Sequence, residues 1–104
     1  MKKEYFVSSC QFLVKEADHE AFVKHTLINA MQSRETEDGC IQYDVLVPLD
    51  GSPSVVLYEV WKDRRAFDDH HNTPHLKQWL IDARPMVIEM KPIQLTRVIS
   101  ERRA

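Results

Sequence analysis

The chain has 104 residues, 43% hydrophobic and 29% charged, which is the composition of one soluble globular domain covering residues 1–104. Fourteen basic and sixteen acidic side chains leave a net charge of -2, and no basic run is long enough to follow a phosphate backbone, so we expect no nucleic-acid partner. We expect no signal peptide and no membrane span either. The cysteines, Cys10 and Cys40, lie in apolar segments, which favours reduced thiols and a cytoplasmic protein.

The first half of the chain predicts a strand, a helix and a second strand. Residues 5–14 are rich in aromatic and branched side chains, as strands are. Residues 16–38 change to helical spacing, with an N-cap at Asp18 and a stop signal at Gly39. Residues 40–47 alternate as a strand does. The apolar positions expected to face the core are Val23, Leu27, Ala30 and Met31 on the helix, and Ile41, Tyr43, Val45 and Val47 on the strand.

The next part of the chain predicts a hairpin and two helices. Turn residues at 48–54 lead into an alternating strand at 55–62, which is expected to pair with the preceding strand. Residues 63–70 are predicted as a short helix. A second helix begins at Thr73-Pro74, because threonine is a good N-cap and proline suits the first helical position. Its apolar face is Leu76, Trp79, Leu80 and Ala83, and Pro85 is expected to end it.

Residues 92–100 are predicted as the last strand, so the element order is β-α-β-β-α-β. That order indicates an α+β ferredoxin-like sandwich, in which helices cover one face of a four-stranded antiparallel sheet. The strand at 55–62 is apolar on both faces. Its two faces are Val55, Leu57 and Trp61, and Val56, Tyr58 and Val60. Because the helices can cover only one face, we expect the other face to pack against a second copy of the chain in a homodimer.

Glu59 places a carboxyl group on the same strand face as large apolar side chains. An unpaired buried carboxylate is costly, so we expect Glu59 to have either a partner or a raised pKa. Arg97, near the centre of the last strand, is the candidate partner. Two interpretations stay open for Glu59: an ion pair at the dimer interface, or a polar group of a binding pocket.

Other polar side chains lie beside predicted core positions. Asp44 is either exposed at a sheet edge or part of the same site as Glu59. His25, Asn29 and Ser33 follow one another at i, i+4 spacing along the first helix. Such a stripe is either solvated surface or the lining of a cavity between helix and sheet.

Residues 68–79, "DDHHNTPHLKQW", hold three histidines around a proline. The proline interrupts the helix that would place His71 and His75 on adjacent turns, so we expect no metal site. His70 ends one helix, where the helix dipole favours the imidazolium, and His75 begins the next, where it favours the neutral ring. These two are the candidates for acid–base chemistry, and His71 is expected to be exposed.

Two segments, "GCIQYDVLV" (39–47) and "VLYEVWKDRRAFDDHHNTPHLKQW" (56–79), resemble the antibiotic biosynthesis monooxygenase family, small dimeric α/β-barrel proteins. The resemblance implies cofactor-independent oxygenation of an electron-rich aromatic such as a quinol, which loses a proton and then reacts with oxygen directly. In that reading His70 or His75 is the base or anion stabiliser. The candidate catalytic residues are His70, His75, Glu59 and Asp44, and the candidate substrate contacts are Asn29, Tyr58, Trp61, Phe67 and Arg97.

The resemblance also defines the alternatives. No flavin or nicotinamide motif occurs, so no cofactor is expected. Haem-degrading relatives carry an axial histidine, an asparagine and a tryptophan that this chain lacks at the matching positions, so haem is not expected. An isomerase branch acts on a phosphorylated autoinducer dione and shares Asp44, Glu59 and the histidines; there Arg97 or Lys24 would have to hold the phosphate. A third reading is a non-catalytic dimer that binds a small hydrophobic metabolite.

Overall fold

The structure, a computed structural model, describes residues 2–99. The element order confirms the predicted β-α-β-β-α-β arrangement, and its second helical region consists of two consecutive α-helices. The strands are β1 (Lys2–Val14), β2 (Cys40–Leu46), β3 (Ser54–Trp61) and β4 (Val87–Ile99). The helices are α1 (His19–Thr36), α2 (Arg64–His70) and α3 (Pro74–Asp82), with 3-10 turns at Glu16–Asp18 and Arg84–Met86.

The four strands form one antiparallel sheet in the order β2-β3-β1-β4. This is the predicted α+β ferredoxin-like architecture. The core lies between one face of the sheet and the helices, where Phe12 packs against Phe22 of α1 and Trp79 of α3. Within residues 2–99, no helix has both the length and the hydrophobicity that a membrane crossing needs.

Two strands begin more than one residue earlier than predicted. β1 begins at Lys2 rather than at residue 5, and β4 begins at Val87 rather than at residue 92. Pro92 therefore lies inside β4, opposite Cys10. A proline is tolerated there because β4 is an edge strand, whose outward backbone positions have no neighbouring strand to bond.

The buried face of α1 also differs from the prediction. Leu27 and Met31 are 49% and 48% exposed, whereas the buried positions are mostly polar. One of these polar groups, the Thr26 hydroxyl, accepts a hydrogen bond of 3.0 Å from the Trp79 indole, which offsets its burial. The buried residues are Phe22, Thr26, Asn29, Ala30 and Ser33.

A β-bulge corrects the predicted inner face of β2. The register between β2 and β3 shifts between Cys40 and Gln42, so Ile41 has no direct partner and is 51% exposed. Val47 lies beyond the end of β2 and is exposed. Beyond the bulge the expected alternation holds, and Tyr43 and Val45 pack with the core.

Candidate active site

A cavity of about 250 Å³ lies between the inner face of the sheet and the helices. This is at the small end for a ligand pocket, so it suits a compact molecule. The apolar lining comes from Cys10, Phe12, Leu57, Phe67, Leu76, Trp79, Leu80, Met90 and Pro92. The polar lining comes from Ser8, Asn29, Tyr43, Glu59, His70, His71 and Arg84.

Glu59 reaches this cavity because strand alternation in β3 turns its side chain to the core. Burial raises the pKa of Glu59 to about 7, although the Trp61 indole donates a 3.1 Å hydrogen bond to Glu59 Oε1 that acts in the opposite direction. The expectation of a partner or a raised pKa is confirmed in both respects. At neutral pH this carboxyl group can therefore both donate and accept a proton.

Arg97 is not the partner of Glu59. The pairing of β1 with β4 sets Arg97 opposite Glu4, and the guanidinium lies 3.5 Å from the Glu4 carboxylate with its side chain 54% exposed. The guanidinium also lies over the ring of Tyr5, at 5.5 Å from its centroid. The predicted pair was wrong because strand register, which decides such contacts, was not known.

His70 is the last residue of α2, and its ring is buried against Trp61, with ring centroids 4.7 Å apart. Its Nδ1 lies 2.7 Å from Glu37 Oε2 and 3.4 Å from Ser33 Oγ. Burial lowers the pKa of His70, and the hydrogen bond to Glu37 opposes that effect. This lowering runs against the preference for imidazolium that the helix dipole predicts at the end of α2.

The chain between α2 and α3 brings His75 back to His70. Thr73 caps α3 by accepting a 3.3 Å hydrogen bond from the Leu76 amide, and its hydroxyl donates to the His70 carbonyl at 2.7 Å. His75 Nε2 then lies 2.7 Å from the same Glu37 oxygen that bonds His70. His70 and His75, on either side of the proline break, are therefore joined through one carboxylate oxygen.

Glu37 is the site residue that sequence reasoning missed. It follows the last turn of α1 and contacts both histidines, which come much later in the sequence. A glutamate at a helix end before a glycine is common, so the local pattern gives little signal.

The possible metal-ligand atoms of Glu37, His70 and His75 lie within 4.8 Å of one another. Such a group could hold a metal ion, which the sequence analysis did not expect.

Asn29 and Tyr43 form the opposite polar wall. Asn29 Nδ2 donates a 3.0 Å hydrogen bond to the Tyr43 hydroxyl. Burial raises the pKa of Tyr43 well above its ordinary value, so the phenol stays neutral. Asn29 Oδ1 is buried and has no hydrogen-bond partner among residues 2–99. A ligand hydroxyl or N–H in the cavity could satisfy it.

The remaining candidate residues divide between the cavity and other places. Phe67 lines the cavity, and Trp61 is fully buried outside its lining, against the ring of His70. Asp44 and Tyr58 lie opposite each other on the outer face of the sheet, because they alternate with the inward Tyr43 and Glu59. Asp44, Tyr58 and Arg97 therefore do not join this site. His71 is exposed, as expected, at the edge of the cavity.

Arg84 is a basic residue that sequence reasoning did not connect with the site. It lies in the 3-10 turn after α3, is half-buried and lines the cavity. One guanidinium nitrogen lies 3.3 Å from the Met90 sulfur, which is a weak acceptor. Arg84 can therefore still bind an anionic group at the cavity. Lys24, by contrast, is exposed and pairs with Glu20.

Solved structures with the same architecture come from several bacteria. A protein of Nitrosomonas europaea, provisionally titled an antibiotic biosynthesis monooxygenase, superposes with a TM-score of 0.87 at 27% identity and covers 94% of each chain. Protein SO0527 of Shewanella oneidensis superposes with a TM-score of 0.84 at 25% identity, covering 95% of this chain and 96% of that one. The structure of Rv0793 from Mycobacterium tuberculosis has a TM-score of 0.83 at 21% identity, covers 94% of this chain and 99% of that one, and shows the shared fold.

Sequence comparison gives a narrower match to the same mycobacterial protein. Rv0793, whose name provisionally assigns it as a monooxygenase, is 40% identical over 50 residues, which are 47% of this chain and 48% of Rv0793. The match thus spans about half the length of that curated relative. The family model for antibiotic biosynthesis monooxygenases matches residues 6–80, a segment that includes Asn29, Glu37, Glu59, His70 and His75. The chain therefore belongs to the antibiotic biosynthesis monooxygenase family.

Proposed function

We propose that this protein is a cofactor-independent monooxygenase that acts on a small aromatic substrate of the quinol or phenol type. One observation carries the proposal: a single cavity between the sheet and the helices contains a histidine whose pKa is lowered and a carboxyl group whose pKa is about 7. A neutral imidazole and a carboxyl that titrates near neutral pH are suited to remove and return a proton.

The reaction begins with proton removal from the substrate. His70 takes a proton from an activated carbon or hydroxyl, and the electron pair stays on the substrate as a delocalised anion. The anion reduces molecular oxygen and bonds to it, and the peroxide takes up a proton. Loss of water from the hydroperoxide converts a methylene group to a carbonyl, so one oxygen atom enters the product and the other leaves as water.

The cavity walls suit the anion formed in the first step. Asn29, Tyr43 and Glu59 provide polar groups on the side of α1 and the sheet, and one of them, Asn29 Oδ1, lacks a partner among the described residues. Phe67 and other apolar side chains provide flat surface for an aromatic ring. Because Asn29, Tyr43 and Glu59 are buried, their hydrogen bonds to a developing negative charge are stronger than in water.

Oxygen uptake with a panel of quinols and anthrones, by protein freed of metal and flavin, tests the proposal. We expect uptake by the wild type and a loss of about 10²-fold or more in His70→Asn, which removes the proposed base. Asp44→Asn is the matched control, because Asp44 lies on the outer sheet face, and it should keep the wild-type rate. Equal rates in His70→Asn and the wild type would contradict the role of His70.

Arg84 favours a second candidate, an isomerase of a small phosphorylated dione. Neither Arg97 nor Lys24 lines the cavity, but Arg84 does and could hold a phosphate. His70 and Glu59 would then move a proton between neighbouring carbons through an enediol. Exchange of carbon-bound protons of a phosphorylated dione in deuterated water, lost in Arg84→Met and accompanied by no oxygen uptake, would favour this function.

We also propose that the outer sheet face forms a homodimer. Its side chains include the half-buried Val56 and Tyr58 of β3, while Ile93 and Leu95 of β4 are 54% and 42% exposed. These residues share one face because Tyr58 pairs through β1 with Ile93. A sheet face that presents several large apolar side chains to solvent is typical of a subunit interface.

A further inference from the structure

One carboxylate oxygen lies between the side chains of His70 and His75. Glu37 Oε2 is 2.7 Å from His70 Nδ1 and 2.7 Å from His75 Nε2. A carboxylate oxygen only accepts hydrogen bonds, so each of these ring nitrogens carries a hydrogen directed at Glu37. The three side chains are 3%, 8% and 12% exposed for His70, His75 and Glu37, so water competes little for these bonds.

Ser33 supports the same proton position on His70. The Ser33 hydroxyl donates its single hydrogen to the Asn29 carbonyl at 2.9 Å. Only a lone pair of Ser33 Oγ therefore remains for His70 Nδ1, which lies 3.4 Å away. Both neighbours of Nδ1 are acceptors, and this requires Nδ1 to be the protonated nitrogen of a neutral His70.

A shared metal ion is the competing explanation, because two imidazoles and a carboxylate are a common divalent-metal set. Metal–ligand bonds of about 2.0–2.1 Å hold tetrahedral ligand atoms about 3.3 Å apart. Here each nitrogen is 2.7 Å from the carboxylate oxygen. That shorter separation is the length of a charge-assisted hydrogen bond.

We propose that Glu37 is a positioning residue that holds His70 in the Nδ1–H tautomer and leaves Nε2 as the nitrogen with a free lone pair. His75 donates to the same oxygen and so holds the carboxylate in place. The catalytic meaning of this arrangement rests on the proposed function: a substrate proton moves to His70 Nε2, its electron pair stays on the substrate, and the imidazolium keeps its bond to Glu37. A carboxylate that orients and stabilises a catalytic imidazole acts in this way in serine-protease triads.

Long-range proton–nitrogen NMR spectra of the full chain with 15N-labelled histidine distinguish the tautomers without any substrate. Above pH 7.5 we expect His70 to carry its hydrogen on Nδ1 and His75 on Nε2, with His70→Asn assigning the signals. A His70 protonated on Nε2 alone would overturn the proposal. The spectrum is then repeated with one equivalent of Zn²⁺. An unchanged spectrum supports hydrogen bonding, and loss of both N–H signals to bound zinc would overturn it in favour of a metal site.

Glu37→Gln provides the kinetic test, with the exposed Glu35→Gln of α1 as its matched control. For any substrate that turns over, Glu37→Gln should lower kcat by about tenfold or more with little change in KM, while Glu35→Gln keeps both. An unchanged kcat would overturn the positioning role. If no substrate turns over, or if Glu37→Gln fails to fold, the wild-type tautomers still decide the proposal. The expected tautomers with no oxygen uptake would leave the role of Glu37 standing and reject the oxygenase.

Discussion

Glu59 links the chemistry of the cavity to the stability of the fold. Its carboxyl group has a pKa of about 7 in the folded protein against an ordinary value of 4.5, because burial favours the neutral form. The folded state therefore holds a proton that the unfolded chain has already released at intermediate pH. The resulting stability is fully present below pH 4.5 and is lost as pH rises through 7.

Replacement of Glu59 by glutamine removes this titration. Between pH 5 and pH 8 the free energy of unfolding of the wild type should fall by up to about 3 kcal/mol more than that of Glu59→Gln. Urea denaturation of both proteins at several pH values measures the difference, and the exposed Glu20→Gln is the control. Parallel pH profiles for wild type and Glu59→Gln would mean that Glu59 titrates normally.

Glu59 and Glu37 show which residues of the site can be predicted from the sequence and which cannot. Glu59 is conspicuous because strand alternation places a charge among apolar positions, so its burial and its raised pKa follow from local pattern. Glu37 is not conspicuous, since it becomes a site residue only when α2 and α3 bring two histidines against it. Arg97 is a candidate partner of Glu59 by sequence alone, but the register of the sheet pairs it with Glu4.

At the scale of elements, a close contact between a glycine and a helix positions His70. Gly39 precedes β2, and a Cβ built on it would lie 2.4 Å from the Cβ of Ala66 in α2. Neither atom belongs to a flexible side chain, so a larger residue at position 39 must displace α2. Because His70 ends that helix, the contact sets how deeply its ring enters the core.

Gly39→Ala should therefore destabilise the protein by about 1–3 kcal/mol, as overpacking does. Ala66→Gly alone should cost about 1 kcal/mol of helix propensity. The double variant restores the space between the two backbones, so it should be more stable than the sum of the single effects predicts. Urea denaturation of all four proteins measures the coupling, and strictly additive effects would show that the contact does not limit the position of α2.

Local sequence predicts where an element begins or ends better than it predicts which of its side chains are buried. The threonine-proline start of α3 and the glycine before β2 were readable, because caps and stop signals act on neighbouring backbone groups. The buried face of α1 was not readable, since Leu27 and Met31 are apolar but point away from the core. The face that packs inward is polar because Asn29 and Ser33 meet the cavity wall rather than an apolar layer.

At the scale of the whole molecule, the element order was enough to predict the sheet and its helix-covered face, because few topologies fit β-α-β-β-α-β. The order of elements does not show what covers the other face of the sheet. Only the apolar side chains on that face suggest that a second chain does. The homodimer is therefore a prediction about assembly that rests on the apolar outer face.

Sedimentation of the purified protein tests that assembly. We expect the wild type to be a dimer and Ile93→Lys to be a monomer, because the substitution places a charge among the apolar side chains of the outer face. Ile81→Lys is the matched control, since Ile81 is 68% exposed on α3, away from that face, and should leave the dimer intact. A monomeric wild type, or a dimeric Ile93→Lys, would exclude this interface.

We propose above that the buried histidine and carboxyl groups prepare a substrate for direct reaction with oxygen. Turnover of a responsive quinol or anthrone under ¹⁸O₂, by protein free of metal and flavin, tests it most directly. We predict one ¹⁸O atom in the organic product and one in water, with turnover lost in His70→Asn. Product without ¹⁸O, or the same labelled turnover in His70→Asn, would contradict it.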